Sequence, residues 1–126
     1  MKENLLGTKS YRFALRIINL QKFLVQEHRE YTLSKQILRS GTSIGANVEE
    51  SIHAQSKLDF IHKLSIAQKE ASETNYWLRL LVDGGYLTRM QAESMLNDCE
   101  EIQRLLTASI KTTKANLKTG QTEGEK

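Results

Sequence analysis

Proline is absent from this 126-residue chain, so no ring interrupts a helix by removing a backbone N–H. Its single cysteine, Cys99, excludes an internal disulfide and is the usage of a reducing compartment, which points to the cytoplasm. No apolar run approaches the ~20 residues that a membrane-spanning helix needs. The first ten residues, MKENLLGTKS, hold neither an apolar core segment nor a cleavage site, so no export signal is expected. Strand-like alternation and internal repeats are also missing. What is present, 39% hydrophobic and 26% charged residues, is the composition of one ordinary globular domain. The formal charge of +3 permits a nucleic-acid partner without requiring one.

Hydrophobic spacing predicts four helices with short breaks, and hence an all-α, up-down-up-down antiparallel four-helix bundle over residues 9–118. Residues 1–8 are expected to be a lead-in and residues 119–126 a disordered polar tail. The first helix, about Lys9 to Glu27, buries Phe13, Ile17, Leu20 and Leu24 on one face. Thr32 is the expected cap of the second, about Leu33 to Gln55, whose stripe is Leu33, Ile37, Gly41, Ile44, Val48 and Ile52. Glycine inside a helix costs about 1 kcal/mol against alanine, so Gly41 and Gly45 need a reason. With Ser40, Ser43 and Ala46 they make a thin surface that a neighbouring helix can approach closely.

Ser56 with Asp59 resembles a capping box that opens the third helix, which runs to about Asp83. Its seam is Phe60, Leu64, Ala67, Ala71, Thr74, Leu78 and Leu81, and Gly84-Gly85 is its stop. Thr88 with Gln91 is a second capping box. It opens a helix to about Leu117 with the seam Met95, Cys99, Ile102, Leu106, Ser109, Thr113 and Leu117.

In an antiparallel pair, residues equidistant from the turn lie at one height. Arg39 then falls level with Glu73, and Thr42 or Ser43 with Glu70. Both acids share a stripe with Ile66, Trp77 and Leu80, so they are expected to be partly desolvated and to need partners. Arg39, Ser43 and Asn47 are the groups within reach, and the expected outcome is a structural polar network that fixes register. Apolar residues off the seams, among them Ile18, Phe23, Ile61, Trp77 and Leu80, point to a homo-oligomeric contact.

Charge sorts by end in this arrangement. Lys9, Arg12 and Arg16 on the first helix, Lys57 and Lys63 on the third, and Lys111, Lys114 and Lys118 on the fourth are expected at one pole. Only Glu49, Glu50 and Asp59 oppose them there, whereas Glu93, Asp98, Glu100 and Glu101 are assigned to the other end. The C-terminal lysines complement the dipole of the last helix, but the arginines opening the first helix oppose theirs. A basic pole repeated around an oligomer suits phosphate backbones, RNA or DNA.

Catalytic patterns are lacking. Glu50-Ser51-Ile52-His53 matches a carboxylate-bridged metal motif once, and Asp59-Phe60-Ile61-His62 is a version of it in a first helical turn; neither has counterparts on the outer helices. His28, His53 and His62 have no nucleophile to serve, Cys99 reads as a buried thiol, and Gly41 to Gly45 is no phosphate loop. No cofactor and no metal is expected. A protein–protein scaffold, and more remotely a carboxylate-bridged metal protein, are the alternatives to a nucleic-acid binder.

Three stretches carry a resemblance: LSKQILRSGTSIGANVEES (Leu33 to Ser51), FIHKLSIAQKEASETNYWLRLL (Phe60 to Leu81) and DCEEIQRLL (Asp98 to Leu106). They resemble bacterial four-helix-bundle proteins encoded within intervening sequences of 23S ribosomal RNA genes. The resemblance implies a non-enzymatic bundle assembled into a ring-like homopentamer, and a likeness to the basic accessory proteins of diversity-generating retroelements, which associate with nucleic acid and a reverse transcriptase. It makes Arg39, Ser43, Asn47, Glu70, Glu73 and Trp77 architectural. His53 stands where members more usually carry a small residue. The implied partners are further copies of the chain, RNA or DNA, and a partner protein, with no membrane.

Overall fold

The computed structural model describes the backbone of residues 4–124 and the side chains of residues 5–119. Four helices make up the fold: α1 (Asn4–His28), α2 (Leu33–Ile52), α3 (Lys57–Asp83) and α4 (Arg89–Gly124). There is no strand among the described residues. α1 packs on α2 and α4, and α3 on α2 and α4, around one core. Phe13, Ile17 and Leu24 of α1, Ile37 and Ile44 of α2, Leu64, Leu78 and Leu81 of α3, and Ile102 and Leu106 of α4 are almost fully buried in it.

The helix boundaries follow local chemistry, though not always the groups expected. Ser56 accepts from the Asp59 N–H at 3.0 Å and opens α3. Thr88 and Gln91 form the reciprocal box at α4, with bonds of 2.8 and 3.1 Å. α3 ends in a Schellman turn: Tyr86 N–H reaches the Leu81 carbonyl at 2.9 Å and Gly85 N–H the Val82 carbonyl at 3.1 Å. Gly85, at φ 88°, supplies the left-handed step that residues with a Cβ resist. Thr32 does not cap α2. The Glu30 carboxylate does so instead, accepting from the N–H groups of Thr32, Leu33 and Ser34 at 3.2, 3.0 and 2.7 Å. A carboxylate there also complements the positive end of the helix dipole.

Three boundaries differ from the sequence reading. α1 begins at Asn4, so most of the expected lead-in 1–8 is helical. α2 stops at Ile52, which is half exposed rather than in the core. α4 continues to Gly124, so residues 119–124 of the expected disordered tail are helix, with no proline to end it. Residues 1–3 of the lead-in and 125–126 of the tail lie outside the described residues.

The two glycines of α2 face α1. A Cβ on Gly41 would lie 2.6–2.9 Å from three carbons of Ile17, and one on Gly45 would lie 3.3 Å from the Ser10 carbonyl oxygen. The thin surface is therefore where α1 closes on α2, and Gly41 is the tighter point.

Candidate functional site

Arg39 of α2 reaches across to α3 and grips two carboxylates. Its Nη1 donates to Glu70 Oε1 at 3.2 Å and its Nη2 pairs with Glu73 Oε2. Trp77 Nε1 donates to the same Glu73 oxygen at 3.2 Å. Glu70 is the most enclosed of the three charged side chains, 15% exposed against 30% for Glu73 and 48% for Arg39. Ser43 and Asn47 do not join this network. Ser43 Oγ donates to the Arg39 carbonyl at 2.6 Å and Asn47 Nδ2 to the Ser43 carbonyl at 2.9 Å. A polar side chain on a helix finds the carbonyl four residues back before it finds a neighbouring helix.

One buried polar contact had no sequence forecast: the hydroxyls of Ser40 and Thr74 lie 2.8 Å apart between α2 and α3. Thr74 also donates to the Glu70 carbonyl at 2.8 Å, which ties this pair to the arginine clamp. The signal lay in two small hydroxyls on facing seams at one height.

The eight cations assigned to one pole divide into two groups. Lys9 pairs with Glu101 at 3.2 Å and Arg16 with Asp98 at 2.5 Å. These acids belong to α4, and the sequence spacing alone places them at the far end. Lys63 pairs with Glu50 at 2.8 Å, and that carboxylate holds the lysine pKa above its ordinary value, by hydrogen bond first and charge second. Arg12, Lys57, Lys111 and Lys114 are exposed and make no ion pair among the described residues. Lys118 is exposed and has a partner of its own.

The length of α4 sets which cations meet which acids. The His28 ring packs edge-on against Tyr86, which places the end of α1 beside the α3–α4 turn. Leu5 and Ser109 then wall the same cavity, so α1 begins beside the Ser109 turn. Ile110 is the last buried side chain of α4, and none is buried from Lys111 to Thr119. Residues 111–124 form an arm past the start of α1, about 20 Å long at helical rise. Lys111, Lys114 and Lys118 sit on that arm, while Asp98 and Glu101 are carried back level with the α1 cations. Those acids stand three apart on α4 and the cations they meet, Lys9 and Arg16, seven apart on one face of α1, so the long basic side chains converge on them.

Cys99 is buried, its thiol 3.3 Å from the Ala71 carbonyl. Burial, and less strongly Glu100 and Asp98, push its pKa up to about 12, so it is a poor nucleophile at neutral pH. His53 lies 3.7 Å from Glu49, and Glu50 is engaged by Lys63. No group of three or more His, Cys, Asp or Glu suited to a metal ion occurs among the described residues. Nor is any helix among them long and apolar enough to cross a membrane.

Comparison with known proteins agrees with this architecture. The family model described as 23S rRNA-intervening sequence protein matches residues 2–108. A crystal structure from Bacteroides thetaiotaomicron, described as a protein of unknown function from the S23 ribosomal protein family, is 59% identical. It superposes with a TM-score of 0.86 and covers 88% of this chain and 99% of that one. No curated protein matches. With the family model spanning all four helices and stopping just short of the lysine arm, the chain belongs to the 23S rRNA-intervening sequence protein family.

Proposed function

We propose that this is a non-catalytic, cytoplasmic protein, an up-down-up-down four-helix bundle that assembles with copies of itself and binds the phosphate backbone of nucleic acid. The observation that carries the reading is the α4 arm. Beyond Ile110 it has no buried side chain as far as Thr119, yet it presents Lys111, Lys114 and Lys118 at one helical face. Lys57 and Arg12 add exposed charge toward the same end. Lys9, Arg16 and Lys63 contribute less than the sequence alone implies, because each is already matched by a carboxylate.

On the arm only Thr113 and Leu117 are even half-buried, and a short helix segment with so little burial is marginal in water, so an arm of this kind gains order from what it binds. The arm lies beyond the stretch matched by the family model, and its role is argued from its own chemistry. Self-assembly is supported by apolar side chains left on the outer faces, Tyr11 and Leu15 on α1 and Tyr76 and Leu80 on α3. The family resemblance implies a ring of five. Such a ring would multiply a weak single arm through effective concentration.

The test is fluorescence anisotropy with RNA and DNA oligomers at two salt concentrations, on protein whose assembly state has been measured. Several phosphate contacts would give a log–log salt slope of about −3 or steeper. Absence of binding at low salt would reject nucleic-acid recognition and leave an oligomeric scaffold.

A further inference from the structure

At the end of the core from which the arm departs, the four helices do not close. A cavity of about 460 Å³ remains there, walled by Leu6, Val48, Phe60, Leu64 and Leu105, with Lys57 on its wall. This volume lies within the ~300–1,000 Å³ of small-molecule sites, and the lining is mostly apolar, as those sites are. Two of the three hydroxyls lining it are already committed, Ser51 donating to the Val48 carbonyl at 2.6 Å and Ser56 capping α3, which leaves that of Ser109. The interior thus offers little to a polar ligand.

Lys57 is the one charged residue on the cavity wall among the described residues. Lys57 is exposed and makes no ion pair among the described residues. It is also the first residue of α3, where the dipole favours an anion and Ser56 caps only the Asp59 N–H. Asp59 stands in the same first turn but off the cavity wall, and Glu50 of α2 is held by Lys63 at 2.8 Å. Half-exposed Leu5 and Ile52 extend the apolar surface outward from the cavity.

We propose that this cavity binds an amphipathic carboxylate, an unbranched aliphatic chain whose tail lies among the leucines and whose head meets Lys57 and the start of α3. The inference rests on the cavity and its charge, independently of the arm and of nucleic acid.

Isothermal titration of the full-length protein with decanoate, dodecanoate and dodecanol tests it, with assembly state followed in parallel. Dodecanoate should bind more tightly than decanoate, by about fourfold for each added methylene that is buried. Lys57→Gln should weaken dodecanoate several-fold and leave dodecanol unchanged. Ser109→Phe, which places a ring on the cavity wall, should abolish binding of both. If Ser109→Phe lowers thermal stability, Ser109→Leu serves the same purpose with a smaller side chain. Absence of dodecanoate binding up to its solubility limit overturns the proposal, as does binding indifferent to both substitutions. Loss of self-association in Ser109→Phe without any ligand heat in the parent would assign the cavity to a second copy, and would overturn it too.

Discussion

The α2–α3 seam and the α1–α4 seam both carry arginine–carboxylate pairs, yet they are built in different ways. Between α2 and α3 the pair sits on continuous packing: the Ser40 and Thr74 hydroxyls meet in the interior, and Arg39 closes over a Glu70 that is 15% exposed. Between α1 and α4 the pairs span open space. Cavities of about 280 and 230 Å³ lie along that seam, and Arg16 lines both. Asp98 and Glu101 are each more than 40% exposed. An ion pair in water contributes well under about 1 kcal/mol, so α4 holds α1 weakly through charge. What holds α1 is α2, through the close approach of Ile17 to Gly41.

That contrast can be broken most severely at Gly41. Gly41→Leu would force a side chain into the position of Ile17 and should cost about 3 kcal/mol, the upper range for overpacking. Gly45→Ala should come out near neutral, because its Cβ meets Ser10 no closer than 3.3 Å, at the carbonyl oxygen, while helix propensity gains about 1 kcal/mol. Chemical denaturation of both variants compares them directly. Equal losses would mean that α1 does not depend on this contact.

Alkali acts where α4 packs on α3, at the buried Cys99 thiol beside the Ala71 carbonyl. The Cys99 pKa is raised to about 12 in the fold from an ordinary 9.0, so the folded state keeps a proton that the unfolded chain releases. Its stabilising contribution is complete below pH 9.0 and declines toward pH 12, by at most about 1.4 kcal/mol per pH unit. Lys63, also raised, loses its contribution in the same direction as pH climbs past its ordinary 10.5. Denaturant midpoints from pH 8 to 11 should fall in the parent and fall less steeply in Cys99→Ala. Parallel curves would remove Cys99 from the explanation.

The turn that sets α2 against α1 offers a smaller effect. Glu30→Ala removes a carboxylate that holds three N–H groups and should cost about 1 kcal/mol, whereas Thr32→Ala should change little. Thermal melts that ranked the two the other way would restore threonine as the cap. The smallest effects compare the seams themselves. Arg39→Ala should cost about 1 kcal/mol, limited by the half exposure of the guanidinium, and Arg16→Ala about half as much. A double-mutant cycle should find stronger coupling for Arg39 with Glu73 than for Arg16 with Asp98.

Much of this was legible in the residues. The core stripes of α1 and α3, the box at Thr88 and Gln91, and the height of Arg39 beside Glu73 all rest on helical periodicity or on one short turn. What failed to read out was the register of α4 against α1. Those helices are related through every intervening turn, so an error in each adds to the next. Asp98 and Glu101 were consequently set at the wrong end. The roles of Ser43 and Asn47 failed for a different reason, since their own backbone competes at shorter range than any neighbour. The apolar cavity had no sequence signal, because Leu6, Phe60 and Leu105 look like core residues whether or not they meet.

The central functional claim separates the lysine arm from the ion-paired seam, and one comparison tests it most directly. RNA-binding anisotropy at low salt would be measured for Lys111→Glu/Lys114→Glu and for Arg16→Ala, each with assembly verified. Binding abolished in the arm variant and retained in the seam variant is the expected result. Retention in the arm variant with loss on removing Arg16 would contradict it and return the interface to the seam.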